Sequence, residues 1–468
     1  FSASALNLAD GSSLDKVTRD AKLTLLGATT VKYYKEGKLA DEGAYSTISG
    51  TALKLKEEFG TDTICFVNQG VGARMLALKV SPIPFDGEGT AEKPYLLKTK
   101  ADLVTLSKVT TVKQQLFPDT YFKITNDIDL QKDGEFLGIC ASIITGSSDA
   151  HVQFAGHIDG DGHTIHNMVI KNSMTWTTAP TANKMGTPTT RKCIGYKGFI
   201  GRMAPSGSVK NLNIAADCDL TELWATSGAL VGYNYGTIEN CRNYANVTGY
   251  SCWIGGIAGQ NQKGAVIRNC FNAGNIVSGY MNVGGISGTN YGLIENCENT
   301  GTIECKVIST FISGSKVNKL NSVGGICGGQ TGGRVLNCVN SGTTYGYGRV
   351  AGISGSLNEA ASTSYDYHND VINCINYGTS LSTDKVEVGA IGGQTGTKGV
   401  CKDNYYDGQI TLHKANGNTT LEGTEAVETS VLTSGKALAN YSTELWSFEA
   451  GKYPVLKQFA DEPSVKVT

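Results

Sequence analysis

Proline and charge are scarce in this 468-residue sequence, and long apolar runs are missing. Only 9 residues are proline, so the 59 glycines do not indicate a collagen-like chain or a proline- and glycine-rich disordered one. The 40 Lys and Arg against 42 Asp and Glu leave a net charge of −2. This balance lacks the basic face that binding to phosphates requires, so we expect no nucleic-acid partner. No apolar run reaches about 18 residues, which predicts no transmembrane segment.

What the sequence does contain is a repeated unit between about residues 198 and 406. The first half is a run of small residues ending in Gly, such as GGIAG at residues 255–259 and GGISG at residues 284–288. The second half reads aliphatic-x-Asn-Cys-x-Asn, as in residues 238–243. A solenoid needs such a repeat, because each coil must place equivalent residues over those of the previous coil.

The local pattern indicates strands in each unit. Stretches rich in Ile and Val are broken by Gly, Asn and Ser, and three short strands for each unit predict one coil of a parallel β-helix. Longer steps between units predict insertions near residues 172–192, 304–320 and 356–370. The last two insertions are where we expect specificity, because loops on a rigid scaffold carry function.

Stacking in register predicts two columns of equivalent side chains. Asparagine suits such a column because neighbouring amides hydrogen-bond and because Asn tolerates the left-handed conformation of coil corners. The predicted asparagine column is Asn240, Asn269, Asn296, Asn337 and Asn373. Cysteine behaves as a small apolar residue and is expected to be buried and reduced. The predicted cysteine column is Cys241, Cys270, Cys297, Cys338 and Cys374.

The spacing of metal-ligating residues does not indicate a metal site. A zinc site uses cysteines separated by about two to four residues, and Cys297/Cys305 is too wide a pair. His163 and His166 point to opposite faces of a strand, and His157 is expected in an exposed turn. We therefore expect no metal and no cofactor.

The predicted solenoid begins at residue 85 and extends to residue 468, with a cap at each end. Thr99 and Asp102 indicate a helix start, so a cap helix is expected at about residues 99–110. A second cap is expected at about residues 430–459, with a short helix at 432–441, plugging the C-terminal opening.

The first 84 residues lack the repeat. Five strand candidates between residues 21 and 80, with turn residues between them, predict a small β-sandwich domain over residues 1–84.

Several segments together resemble a known family. They include PYLL at residues 94–97, YFKI at 121–124, DIDL at 127–130 and FAGHIDGDGHTI at 154–165, followed by the repeats. Over about residues 90–460 the chain resembles bacterial surface proteins with GLUG-motif repeats. The resemblance implies an all-β, right-handed parallel β-helix and an adhesin-like protein, secreted or anchored at the bacterial cell surface, whose signal segment is not in this sequence. It brings no catalytic residues, and the N-terminal domain resembles the Ig-like spacers of such proteins.

Aromatic residues are the predicted binding residues. Tyr235 and Tyr291 share a place in Gly-x-Asn-Tyr-Gly, while Tyr250 and Tyr280 follow similar turns with Trp253 nearby. Coil stacking would align such rings into an exposed strip for sugar rings or protein partners. The alternative is that solenoid surfaces simply tolerate tyrosine in strands and turns.

Acidic pairs provide an enzymatic alternative. Asp127/Asp129 and Asp159/Asp161 could be acid/base carboxylates or calcium ligands, but turn formation is the favoured interpretation. The leading hypothesis is a monomeric, non-enzymatic, adhesin-like module that binds a glycan or a host or matrix protein. A polysaccharide lyase or glycoside hydrolase is the alternative, and a passive surface stalk is the third.

Overall fold

The computed structural model describes two separate units, Phe1–Glu88 and Gly89–Thr468. Backbone alone is described for eight strands between residues 30 and 188. The fully described ranges are 85–112, 116–141, 152–170, 195–223, 226–249, 253–279, 282–306, 322–357, 369–382, 387–393, 399–417 and 420–462, with a few side chains omitted at the range ends.

The first unit contains antiparallel strands. One sheet has the strands Lys38–Ala40, Thr30–Lys35, Asp62–Asn68 and Arg74–Val80, in that spatial order. Ser46–Ser49 and Ala52–Leu55 form a separate hairpin. The strand candidate at residues 21–26 lies outside the described residues, and the sandwich stays a prediction.

The second unit is an all-β parallel β-helix, as predicted. Each complete coil has five short strands rather than the predicted three, and these contribute to five parallel sheets that we name A to E in chain order. Strands of only two residues, such as Phe271–Asn272, are too short to show an alternating pattern. The prediction of three strands in each coil was therefore wrong, because such short strands leave no pattern in the sequence.

The strands of sheets A and B open each coil. Sheet A contains Tyr196–Lys197, Thr226–Gly228, Ile254–Gly255, Val283–Gly284, Ser322–Gly324, Arg349–Ala351 and Val388–Gly389. Sheet B contains Ile200–Met203, Val231–Asn234, Ala258–Asn261, Ser287–Asn290, Cys327–Gln330 and Ser354–Leu357.

The strands of sheets C, D and E complete each coil. Sheet C contains Tyr95–Leu97, Tyr121–Ile124, His157–Asp159, Ser208–Lys210, Thr237–Glu239, Val266–Arg268, Leu293–Glu295, Arg334–Leu336, Asp370–Ile372 and Cys401–Lys402. Sheet D contains Ile128–Asp129, Thr164–His166, Asn213–Ile214, Arg242–Asn243, Phe271–Asn272, Glu298–Asn299, Val339–Asn340, Ile375–Asn376, Asn404–Asp407 and Thr424–Val427. Sheet E contains Leu220–Leu223, Val247–Gly249, Ile276–Ser278, Ile303–Cys305, Thr344–Gly346 and Ser380–Ser382. A further antiparallel pair, Trp176–Thr178 with Thr187–Pro188, lies outside these sheets.

The glycines of the repeat mark places where two backbones approach closely. A Cβ atom at Gly259, on sheet B, would lie 2.6 Å from the Gly232 carbonyl oxygen and from the Ser227 amide nitrogen of sheet A. At Gly256 a Cβ would lie 2.3 Å from Oδ1 of Asn272, on sheet D. Only glycine fits these places, so the close packing of neighbouring segments requires the glycines of the GGIxG sequence.

The N-terminal helix, Lys100–Val112, has a reciprocal cap. The Thr99 amide donates to Oδ2 of Asp102 at 2.9 Å, and the Asp102 amide donates to Oγ1 of Thr99 at 3.3 Å. The Ser107 hydroxyl donates to the Gly138 carbonyl, and Oγ1 of Thr110 accepts from the Cys140 amide. The helix thus hydrogen-bonds to the segment that pairs, through a bridge from Ile139 to Ile200, with sheet B.

The C-terminal segment differs from the expected plug. We define residues 428–462 as the C-terminal strap. It contains the short helix Thr429–Leu432, the hairpin Trp446–Ser447 with Val455–Leu456, and the 3₁₀ turn Lys457–Phe459, so the helix expected at 432–441 was wrong. The strap runs back along the outer face of sheet D, because that face presents apolar side chains that must be buried.

Candidate ligand-binding surface

The predicted binding aromatics do not lie next to one another. Tyr235 and Tyr291 follow strands of sheet B, but Gln262 occupies the equivalent place in the coil between them. The Gln262 amide donates to the Asn234 carbonyl of the preceding coil, and the Tyr291 amide donates to the Asn261 carbonyl in the same way. The two tyrosines are therefore two coils, about 10 Å, apart.

Of the other three predicted aromatics, only Trp253 belongs to the described residues. Trp253 is half-buried directly before Ile254–Gly255. Tyr250 and Tyr280 lie outside the described residues.

Tyr235 instead belongs to a cluster around Arg202. The guanidinium carbon of Arg202 lies 5.3–5.4 Å from the ring centroids of Tyr196, Tyr233 and Tyr235. Arg202 is 9% exposed, and the three rings enclose a cation that is itself buried. The sequence did not indicate this cluster, because Arg202 and Tyr233 are brought together by the register of adjacent strands in sheet B. Its guanidinium already engages these rings, so we regard it as a structural cluster.

The predicted cysteine column is buried in the coil interior. Cys241, Cys270 and Cys297 are fully buried free thiols, as are the other two members, Cys338 and Cys374. Each Sγ donates to the carbonyl oxygen two residues earlier at 3.2–3.4 Å. Burial raises the pKa of the Cys241 and Cys297 thiols. These thiols are structural groups.

The predicted asparagine column lies at the corner between sheets C and D. Its five members, Asn240, Asn269, Asn296, Asn337 and Asn373, all adopt φ between 51° and 55°. Nδ2 of Asn337 donates to Oδ1 of Asn296 at 3.1 Å, and Nδ2 of Asn296 donates to Oδ1 of Asn269 at 3.2 Å.

A second asparagine column was not singled out from the sequence. It occupies the last position of each Asn-Cys-x-Asn motif and is fully buried, with amide-to-amide hydrogen bonds of 2.7–2.9 Å. Its members are Asn243, Asn272, Asn299, Asn340 and Asn376.

Sheet C provides the groove that we consider the candidate site. A cavity of about 450 Å³ is lined by residues of its early strands and by Ala91, Glu92 and Pro94. Tyr121 and His157 stack with ring centroids 4.4 Å apart. Nδ1 of His157 lies 2.9 Å from Oγ of Ser208, on the next strand. His157 is thus in a strand, not in the expected turn.

The second side of the groove carries charges of alternating sign. Lys123, Asp159 and Lys210 lie in register on adjacent strands, and the alternation continues through Glu239, Arg268 and Glu295. Lys210 pairs with Asp159 at 3.2 Å, and Lys123 pairs with Asp161 at 2.9 Å. The groove therefore presents both positively and negatively charged side chains.

Burial and hydrogen bonding set the protonation states in the groove. Burial lowers the pKa of His157, which keeps the imidazole neutral at pH 7. Burial opposes ionisation of Asp159, but donors from Asn211, the Asp161 amide and Lys210 hold its pKa below the usual value. The site thus combines a neutral imidazole, a hydroxyl, an aromatic ring and paired charges.

One aspartate of each acidic pair forms a turn. Oδ1 of Asp159 accepts from the Asp161 amide, and Oδ1 of Asp129 accepts from the Gln131 amide. His163 and His166 pair with separate carboxylates, those of Asp127 and Asp217. Among the described side chains, no three His, Cys, Asp or Glu residues are grouped to hold a metal ion.

Comparison with known proteins identifies the repeat. The family model of the GLUG motif matches residues 279–304, which contain one strand of each sheet from A to D and the start of the sheet E strand Ile303–Cys305. The chain carries the GLUG motif. The resemblance found in the sequence is confirmed, and one GLUG motif corresponds to one coil.

Two curated proteins are similar to part of the chain. A protein of Evansella cellulosilytica, provisionally named a Gly-rich membrane protein, is 31% identical over 155 residues, covering 33% of this chain. Halomucin of Haloquadratum walsbyi is 28% identical over 185 residues, covering 37% of this chain. The aligned regions span 15% and 2% of these two relatives. No described helix of this chain is long and apolar enough to cross a membrane.

Two solved structures are also similar. A Bacteroides ovatus protein, provisionally described as an immunoglobulin A1 protease, aligns with 80% of this chain and 95% of its own, at 19% identity and TM-score 0.44. A structure titled IgA1 Protease aligns with 96% of this chain and 34% of its own, at 15% identity and TM-score 0.45.

The groove lies on coils that precede the matched GLUG coil. Its rings come from Tyr121–Ile124 and His157–Asp159, outside the repeated region, so periodicity could not identify them. The sequence signal was the YFKI and GHID segments, which supported the family resemblance without indicating a site.

Proposed function

We propose that this chain is a carbohydrate-binding part of a secreted or cell-surface GLUG protein, with the groove on sheet C as its binding site. The observation that carries the proposal is the stacked pair Tyr121–His157 beside the Ser208 hydroxyl in a cavity of about 450 Å³. Cavities of this size hold small ligands. Surface display is supported by one curated relative, whose name describes it as a Gly-rich membrane protein.

The chemistry of the groove suits a sugar better than a hydrophobic ligand. Aromatic ring faces contact the apolar C–H faces of sugars, while Ser208, Lys210 and Asp159 offer donors and acceptors for hydroxyl groups. Both lysines that line the groove have carboxylate partners, so the groove has no excess positive charge for a polyanion. We therefore propose a neutral glycan as the ligand.

A glycan array followed by titration calorimetry tests the proposal. Tyr121→Ala is expected to weaken binding of the best array ligand about tenfold, the loss of one aromatic contact of about 1.4 kcal/mol. Tyr291→Ala is the matched control, because it removes an aromatic ring outside the groove, and it is expected to leave binding unchanged.

Other outcomes would replace the proposal. Equal losses in both tyrosine variants would place the binding site elsewhere. Release of reducing ends from an array ligand would favour a hydrolase or lyase. No binding to any glycan would favour a protein ligand or a passive stalk.

A further inference from the structure

The C-terminal strap covers one register column on the outer face of sheet D. Four members of this column are Phe271, Glu298, Val339 and Ile375, which pair in order along adjacent strands. The three apolar members are fully buried under the strap. The strap therefore closes a face that sheets of a solenoid otherwise present to solvent.

Aromatic contacts hold the strap on this face. Tyr453 stacks on Tyr377 with centroids 4.2 Å apart, and Phe459 lies 5.3 Å from Phe271. The Tyr453 hydroxyl also donates to Oδ2 of Asp407 at 2.6 Å. The strap thus has strong anchors toward its middle and its end.

Polar contacts hold the last residues of the strap. Nε of Arg242 donates to Oε1 of Glu462 at 2.5 Å, and the Tyr244 hydroxyl donates to Oε2 of the same residue at 2.7 Å. Nε2 of Gln458 donates to the Asn296 carbonyl at 3.0 Å. These contacts form a second fixed point for the strap.

Glu298 is the charged member of an otherwise apolar group of residues under the strap. It is 2% exposed and lies between Phe271 and Val339 in register, where hydrocarbon side chains fit. The Leu456 amide of the strap donates to its carboxyl group, and Oε2 has no hydrogen-bond partner among the described residues. A carboxylate is costly in such a place, because one amide donor does not compensate for the loss of water around a charge.

We propose that Glu298 makes the strap a pH-sensitive latch, which closes over sheet D when this carboxyl group is protonated and opens when it is ionised. Opening gives the carboxylate access to water and uncovers the column of Phe271, Val339 and Ile375. The strap is suited to this because its apolar side chains pack on the outer face of sheet D rather than inside the coils. The device is independent of the groove on sheet C.

The groups facing Glu298 determine the direction of the effect. Burial raises the pKa of Glu298 to about 8, the Leu456 amide opposes this rise, and the charge of Glu462 adds to it. Tyr377 faces Glu298 with a buried hydroxyl group, and Arg242 is engaged by Glu462. No cation pairs with Glu298 among the described ion pairs.

The sign follows from proton linkage. In the open state the carboxyl group has the ordinary pKa of about 4.3, so the closed state binds more protons between about pH 4.3 and 8. Closing is fully favoured below pH 4.3 and becomes less favourable as the pH rises to 8. The equilibrium constant for opening is expected to rise up to tenfold for each pH unit in this window.

Hydrogen exchange of the full chain, followed by mass spectrometry, tests the latch. Strap peptides covering residues 438–462 are compared at pH 5.5, 6.5 and 7.5 between the wild type and Glu298→Gln, because comparison at equal pH cancels the intrinsic exchange rate. We expect the ratio of wild-type to variant strap exchange to rise several-fold over this range. Peptides of sheet B are expected to show a constant ratio.

Two further variants complete the test. Glu298→Val introduces the side chain found at Val339, the neighbouring position of the same column. This variant is used in place of Glu298→Gln if the glutamine variant raises hydrogen exchange throughout the coils. Glu295→Gln removes a carboxylate on sheet C and is expected to keep the wild-type pH profile. A strap profile unchanged by both Glu298 variants, or equally changed by Glu295→Gln, would overturn the proposal.

Discussion

Nδ2 of Asn299 donates to Oδ1 of Asn340 at 2.8 Å, across a step of 41 residues that includes an insertion. The same Nδ2 group donates to the Gly301 carbonyl at 2.9 Å, so each amide links its own turn to the next coil. Coils of different length therefore remain in register, because the buried amides align them whatever lies in the insertion.

The first prediction concerns this column. Asn299→Val removes the donor to Oδ1 of Asn340 and to the Gly301 carbonyl, both buried. It also removes one of the two acceptors of the Asn272 amide, so we expect a loss of about 3 kcal/mol in the free energy of unfolding. Urea unfolding followed by circular dichroism measures it. Asn275→Ala, at an exposed position, is the control and is expected to lose less than about 1 kcal/mol. Similar losses in both variants would contradict a special role for the buried column.

The second prediction concerns close approach of the backbones of sheets A and B. At Gly259 the atoms nearest to an added Cβ are backbone atoms, which cannot move aside, so Gly259→Ala is expected to cost about 3 kcal/mol. Gly264→Ala is the control, because it has φ of 83° and open space, and it should cost only about 1 kcal/mol from backbone strain. Thermal unfolding distinguishes the two, and a larger loss at Gly264 would contradict the clash.

The third prediction concerns the thiols. Burial raises the pKa of Cys218 to about 12 and that of Cys401 to about 11, so both are protonated and poorly nucleophilic at pH 8. Iodoacetamide at pH 8 is expected to label Cys401 first among the described thiols, since it is the one that is not fully enclosed. Peptide mass spectrometry measures the labelling with and without urea. Labelling of Cys297 in the native protein as fast as in urea would contradict its burial.

The fourth prediction concerns the alternating charges on sheet C. Glu239→Lys places a third cation between Lys210 and Arg268, so repulsion replaces the 3.1 Å pair of Arg268 with Glu239. These side chains are more than a third exposed, so the expected cost is only about 1 kcal/mol at low salt. The cost should largely disappear in about 1 M NaCl, where charges are screened within a few ångströms. Glu239→Gln controls for loss of the carboxylate, and a cost independent of salt would contradict the electrostatic explanation.

The coils could be predicted from the sequence because their requirements are local and repeated. Asn240 needs a left-handed corner, Cys241 turns inward directly after it, and the same pair recurs in later coils. Each copy supports the same interpretation, so the parallel β-helix was evident although single copies are weak.

The strap and the groove could not be predicted because they depend on contacts without a period. Glu462 and Arg242 are 220 residues apart, and nothing in either local sequence indicates the other. Tyr121 and His157 become neighbours only through the register of two parallel strands that lie outside the repeated region. The aromatic strip was predicted from repeated turns, whereas the structure places Gln262 between its tyrosines.

A stack of coils usually loses its order one unit at a time from an open end, because each unit contacts only its neighbours. Here the last residues of the strap reach Arg242 while its hairpin contacts Tyr377, so it bridges coils that do not touch one another. Coils between these points cannot fray independently while the strap is closed. The strap therefore converts a chain of nearest-neighbour contacts into one cooperative block, and its release would restore melting from the end.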